Sequence, residues 1–314
     1  VMERTRLVFA TLELLPRHRG HFYNWYDTQT LQALPPAYIS TVDSGNLAGH
    51  LLTLRQGLLA LIDAPVLAPT TFQGLADTLG VLEEACAALP TAQDESVQNA
   101  SVQLVPQQAV QQIVAQLRRL LETALAQAPK SVSAAHLLLQ QMLTGADSIA
   151  ALWPDAGAED ARPHWPTLLA AGCQAALPGP QPLFPPTALP GDPGEEIGLP
   201  HVPTLRELSE HPLHHGSQAR ARERIHQLER LAHVAGQISL MDYTFLYDSA
   251  RHLLGIGYNL DEHRLDAGYY DLLASEARLC SFVAIAQGQL PQESWFALGR
   301  LLTEVNGDAT LLSW

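Results

Sequence analysis

Glu276 occupies a position where an amphipathic helix would carry only apolar side chains. Tyr269, Leu272, Leu273, Leu279, Cys280 and Val283 recur at helical spacing, which predicts a helix from Tyr269 onward, and Glu276 falls on the same face. A carboxylate in such a stripe is costly to bury unless it is paired, protonated or turned towards a cavity. Those surroundings also raise a carboxyl pKa towards the value a general acid needs near neutral pH. Two roles fit Glu276: an acid/base group facing a cleft, or a structural carboxylate neutralised by Arg264 or Arg278.

The side chains around it are of the types that grip a polyhydroxylated ligand. GYNLDEHRLD, Gly257 to Asp266, contributes Tyr258, Asn259 and Asp266, and Tyr269 and Tyr270 follow. Asp266 also suits the N-cap of the helix that carries Glu276, and Glu262 a solvated position. HFYNWYDT, His21 to Thr28, interleaves aromatics with Asn24 and Asp27. Aromatic faces pack on the C–H faces of sugar rings, while carboxylates and amides bind hydroxyls. Phe22 and Tyr23 are expected to pin this loop to the core, and Trp25, Tyr26 and Asp27 to reach a ligand or to anchor the loop as well. In STVDSGNLAGHL, Ser40 to Leu51, Asp43 and Ser44 are N-cap residue types. The helix start there either caps itself or offers Asp43 and Asn46 to a ligand.

Aromatic residues mark which parts of the chain carry chemistry. They crowd between Phe22 and Tyr38 and again between Tyr243 and Tyr270, with only Phe72, Trp153, Trp165 and Phe184 between. The middle therefore reads as an Ala/Leu/Gln scaffold, and the two flanks supply the ligand-binding side chains.

The positioning elements are mostly helical. Leu47, Leu51, Leu54, Leu58 and Leu61 follow Asp43 in steps of four and three. Further helices are expected near 72–89, 104–128, 132–144, 165–176 and 203–236, and another opens at Pro291 and runs through Trp295 and Leu298. Residues 242–258 alternate and are rich in β-formers, which predicts a short hairpin near 243–258 centred on Asp248 and Ser249. The Pro-rich stretch 177–203 reads as a long irregular connection. The sequence opens at Val1 inside a helical pattern and stops at LLSW without a stop signal, so it is expected to be an excerpt of a longer polypeptide.

Composition narrows the function classes. A hydrophobic content of 47% can fill a core, and no apolar run approaches the ~20 residues of a membrane span. The formal charge of -14 argues against nucleic acid and anionic lipid and suits a neutral ligand. Cys86, Cys173 and Cys280 are far apart and read as reduced core residues. HPLHH, His211 to His215, has no metal-ligand pattern around it, and no nucleophile elbow or phosphate loop occurs, so no metal or organic cofactor is expected.

These same segments carry a family resemblance. HFYNWYDT, STVDSGNLAGHLLTLRQGLL, FLYD, IGYN, LDAGYYDLLASEARL, FVAIA and WFALGR resemble, in order, the middle, cyclising domain of cyclic β-1,2-glucan synthases. The resemblance is dense over about 1–62 and 240–314 and weak between. It implies an all-α fold, part of an (α/α)6 barrel like that of endo-β-1,2-glucanases, with residues 1–314 a fragment of that one domain truncated at both ends. It further implies a bacterial inner-membrane enzyme with this domain on the cytoplasmic side, an upstream glycosyltransferase that builds linear β-1,2-glucan and a downstream phosphorylase-like region. The glutamate of the SEAR motif maps onto Glu276 as acid/base of a retaining transglycosylation, and the nucleophilic glutamate is expected beyond Trp314. Hydrolysis of β-1,2-glucan and non-catalytic glucan binding are the alternatives.

Overall fold

The computed structural model describes residues 2–87, 107–153, 164–177, 201–210, 215–270, 277–299 and 302–311. Among these are ten α-helices and four small antiparallel sheets. The chain divides into two units, Leu61–Ile225 on one side and Val1–Ala60 with His226–Trp314 on the other.

The middle unit is built from helices whose apolar residues recur in steps of four and three. In α4 (Gln107–Ala126) Val110, Val114, Leu117 and Leu121 are buried, and in α5 (Val132–Leu152) Ala135, Leu139, Met142, Ala146 and Ile149. With α3 (Pro69–Ala87) and α6 (Trp165–Ala176) they form a ring in which α3 meets α4 and α6, and α5 meets α4 and α6. Phe72, Leu79, Leu82, Leu169 and Cys173 complete the shared core. The sequence fixes the helix starts through caps. Ser131 accepts from Ala134 N at 3.2 Å, and Thr204 and Glu207 form a reciprocal capping box at the head of α7 (Leu205–Glu210). The two ends of the unit lie side by side: Pro65 bridges Thr204, Val66 N donates to Pro203 O at 2.9 Å, and Arg206 pairs with Asp63.

The other unit joins the two aromatic-rich flanks. α1 (Met2–Leu14) leads to a hairpin, β1 (Arg17–His18) and β2 (His21–Phe22), turned by Arg19 and Gly20 at φ 51° and 88°. Gly20 is required there, because a Cβ would sit 2.6 Å from the Leu240 carbonyl oxygen. β3 (Tyr38–Ser40) runs into α2 (Thr41–Ala60) and pairs with β6 (Gly257–Asn259), which pairs with β7 (Arg264–Leu265). β4 (Tyr247–Asp248) and β5 (Leu253–Leu254) form a second hairpin. The last turns of α8 (His215–Ile238) come before the first of these strands, and α9 (Ala277–Ala286) and α10 (Glu293–Ala297) follow β7. Ile39, Met241, Tyr243, Leu246, Leu254, Cys280 and Val283 share the core. α2 and α9 approach closely because Gly45 and Gly49 face Cys280 and Leu279; a Cβ on Gly45 would overlap Cys280.

Several expectations are corrected. The helix expected from Tyr269 does not include Tyr269 or Tyr270. Tyr269 bridges Gly255, and Tyr270 N donates to Leu254 O at 3.0 Å, so both belong to a β strip. The described helix begins at Ala277, and Leu272, Leu273 and Glu276 lie outside the described residues. Asp266 is not an N-cap, because it accepts the Tyr38 phenol instead. α2 starts at Thr41, ahead of Asp43 and Ser44, because Ser40 Oγ accepts from Asp43 N at 3.3 Å and is the cap. The hairpin expected near 243–258 is present as β4–β5, while Gly257 and Tyr258 leave it to pair with β3. A further hairpin, β8 (Leu302–Val305) and β9 (Asp308–Leu311), turns on Asn306–Gly307 and was not anticipated. Most of the Pro-rich stretch and of HPLHH lies outside the described residues. The described residues are mostly helical with small antiparallel sheets, and none of their helices is long and apolar enough to cross a membrane.

Candidate functional site

The pleat of the β3–β6–β7 sheet sorts the flanking side chains onto two faces. Tyr38 lies opposite Asn259 and Ser40 opposite Gly257, while Ile39 lies opposite Tyr258. Tyr258 therefore shares the face of buried Ile39, packed edge-on against Phe245 at 5.3 Å and stacked with His18 at 6.5 Å. Tyr38 and Asn259 occupy the other, polar face.

On that face the Tyr38 phenol lies over Gly257, where any Cβ would overlap it, and donates to Asp266 in a short hydrogen bond. Asp266 N donates to Gly257 O at 2.9 Å, fixing the carboxylate beside the sheet. Burial, then the bond to Asp266, raises the Tyr38 pKa above its ordinary range, and the charges of Tyr270 and Asp43 add to the effect. Tyr38 and Asp266 are thus joined, and Asp43 and Tyr270 are near enough for charge on them to act on the phenol. Asp43 is exposed in the first turn of α2, and half-buried Asn46 follows it. Asn259 Oδ1 accepts from Glu262 N at 3.1 Å and closes the β6–β7 turn. Thr41 locks the helix start to the strip, donating through its hydroxyl to Gly255 O at 2.7 Å and through its N–H to Ile256 O at 3.0 Å.

The 21–38 loop divides its aromatics differently from expectation. Trp25 is 51% exposed. Tyr26 is half-buried; its hydroxyl donates to Pro16 O and accepts from Tyr23 N, both at 2.8 Å, so the ring pins the loop. Asp27 Oδ1 accepts from Thr30 N, Gln29 N and the Thr30 hydroxyl, which together hold its pKa below the usual carboxylate value. That oxygen is committed to the turn. Asn24 ties the loop to the sheet, donating from its N–H to Tyr38 O at 2.9 Å and accepting Ser40 N at 3.2 Å.

Tyr269 donates to Asp248 Oδ2 at 2.8 Å, and Arg251 stands over its ring at 4.9 Å. This hydrogen bond is the main cause of the lowered Asp248 pKa. Tyr269 therefore braces the β4–β5 turn. Of the two arginines considered as partners for Glu276, Arg264 pairs with Glu262 at 2.7 Å, and Arg278 is exposed. Glu276 itself lies outside the described residues, immediately before buried Ala277 at the head of α9.

Three positions escaped the sequence reading. Tyr38 was visible only as one aromatic among many, although the alternation of Tyr38, Ile39 and Ser40 after a proline pair is a strand signal. Gly257 in IGYN marks the close approach of the Tyr38 ring. His21 is fully buried, with Nδ1 2.8 Å from Ser44 Oγ and Nε2 2.8 Å from Asp242 O, and burial pushes its pKa down to about 4. No sequence pattern marks it. Among the described residues no group of His, Cys, Asp and Glu could hold a metal ion.

No family model matches the sequence. The chain is similar to cyclic beta-(1,2)-glucan synthase NdvB of Rhizobium meliloti (strain 1021), with 30% identity over 328 aligned residues that cover 99% of this chain and 10% of that protein. It spans about a tenth of the length of the relative it matches. The resemblance carried by the flanking motifs thus extends through the middle of the chain.

Proposed function

We propose that the chain is a segment of the cyclising domain of a cyclic β-1,2-glucan synthase, contributing the acid/base and one wall of the glucan cleft of a retaining transglycosylase. The similarity along 99% of the chain to a protein of that name carries the reading. The Tyr38–Asp266 pair, with Tyr270 and exposed Asp43 of the first turn of α2 near it, supports it, since phenols and carboxylates are what sugar hydroxyls bind.

In this reading Glu276 protonates the departing glycosidic oxygen while a carboxylate outside this chain attacks the anomeric carbon and forms a glycosyl-enzyme ester. Glu276, now ionised, removes the proton from the 2-hydroxyl at the non-reducing end of the same glucan as that oxygen displaces the carboxylate. Two inversions leave the β configuration unchanged, and the ring closes without net water. Asp43, Asn46, Asp266 and Tyr270 line the cleft, with Trp25 offering an open aromatic face, and Tyr26, Asp27, Tyr258, Asn259 and Tyr269 hold the surrounding turns. The segment works on the cytoplasmic side of the inner membrane within its larger parent, between the glycosyltransferase and the phosphorylase-like regions, on linear β-1,2-glucan and without a cofactor.

Glu276→Gln in the full-length parent tests the assignment. Cyclic product formation should fall by several orders of magnitude while the melting temperature stays within a few degrees. Turnover within a few-fold of wild type would remove Glu276 from the mechanism.

A further inference from the structure

The C-terminal half of α2 and the facing turns of α8 leave a groove of about 370 Å³, within the size range of small-ligand clefts. Its floor is apolar, from Leu52 and Leu59. Its walls carry Arg55, Glu229, His233, Gln237 and Gln287. Gly236 lets the Arg55 stem run along α8: a Cβ there would stand 3.3 Å from Arg55 Cδ. Among the described residues no hydrogen bond or ion pair engages the side chains of Arg55, Glu229, His233 or Gln237, although they line one space. Gln287 Nε2 donates to Ser239 O at 3.2 Å, while its Oε1 is buried and has no partner among the described residues.

The chemistry of the walls selects the ligand class. One cation, one anion, two amides and an imidazole offer both donors and acceptors with no dominant charge. An anion would meet Glu229 and the overall charge of -14, and a cation would meet Arg55. An apolar floor beneath such walls suits the C–H face of a neutral, polyhydroxylated chain. We infer that this groove is a second saccharide-binding site, which holds a stretch of linear glucan away from the reacting end. The inference rests on the glucan-cyclising reading. Asp43 and Arg55 are twelve residues apart on α2, about 18 Å along its axis. Only a chain of several sugar units engages both places, so the groove retains long glucans and is indifferent to short ones.

The test uses the full-length parent and its variants His233→Ala, Gln237→Ala and the double variant, all at exposed side chains. Half-saturating concentrations are measured for long linear β-1,2-glucan and for short β-1,2-linked oligosaccharides. The double variant should raise the value for long glucan about 3–10-fold, the loss of one or two hydrogen bonds, with kcat and the short-substrate value unchanged. In parallel, hydrogen exchange over residues 229–240 of the wild-type parent should slow when long glucan is added. Absence of that protection overturns the second site whatever the variants do, and so does an unchanged half-saturating concentration for long glucan. A parent that shows the protection yet transfers no β-1,2-glucan would instead refute the transglycosylase reading and leave the groove standing.

Discussion

His21 Nε2 faces the Asp242 carbonyl oxygen, so in the neutral ring that nitrogen carries the proton, and Nδ1 lies 2.8 Å from Ser44 Oγ, whose hydroxyl donates to Ser40 O. Burial holds its folded pKa near 4, below the ordinary 6.5. The neutral form is favoured by folding, so this contribution is complete above pH 6.5 and is lost as pH falls towards 4. The slope is about 1.4 kcal/mol per pH unit. Denaturant midpoints between pH 7 and 4.5 should show this loss, and His21→Gln should flatten it; equal slopes would assign the acid sensitivity to carboxylates. At the cleft, Tyr38→Phe leaves the ring over Gly257 but takes the hydrogen bond from Asp266. It should weaken glucan binding by about 1–3 kcal/mol in the parent with little change in kcat, as read by KM. Trp25 and Tyr26 are neighbours to which the sequence attached one reading, and the structure separates them. Trp25→Ala should leave the melting temperature nearly unchanged and lower glucan affinity by about 1–3 kcal/mol. Tyr26→Phe should destabilise the unit by about 1–3 kcal/mol, since Tyr23 N and Pro16 O lose their partner. The distinction was not legible because the partner, Pro16 O, is set by the folded hairpin rather than by the residues around Tyr26.

At the level of elements, the α2–α9 contact depends on small residues. Gly45→Ala would drive a methyl into Cys280, and the helices must separate or shift. A loss of about 1–3 kcal/mol is expected from chemical denaturation, and adding Cys280→Ala should not recover it, because the nearest atoms, Cys280 Cβ and Cα, remain. The helices of the middle unit were legible because steps of four and three repeat over several turns, as in α5 and α6, whose starts match the expected ones. The helix from Tyr269 was misread because Leu279, Cys280 and Val283 do repeat at helical spacing, and the pattern was extended backward over residues that pair with Leu254 and Gly255. Short strands of two or three residues give period-2 patterns too brief to stand out. The β8–β9 hairpin did have a local signal, since Asn306–Gly307 is a preferred hairpin turn, and it was passed over.

Across the whole molecule, the sequence was read as one domain, whereas the chain forms two units, and the two aromatic-rich flanks fall in the same one. What the sequence concealed is that the middle closes on its own four helices. Replacing residues 67–202 with a short Gly/Ser linker should therefore leave the flanking unit folded. Its tyrosines and Trp25 would keep their near-ultraviolet circular dichroism, and loss of that signal would show that the flanks need the middle unit. Deletion should also leave the groove between α2 and α8 in place, so glucan binding offers a second readout.

The clasp at the ends of the middle unit bears on the order in which the chain folds. Ser40 must find Gly257 across the whole of that unit. Closing so long a loop is slow, with each doubling of length adding about 0.6 kcal/mol of entropy cost. If the middle folds first, the bridge between Pro65 and Thr204 and the Asp63–Arg206 pair bring its entry and exit together. The search is then shortened to the tails on either side. During synthesis β3 waits without its partner strand until Gly257 leaves the ribosome, so a middle unit that finishes early acts as an internal guide for the later one.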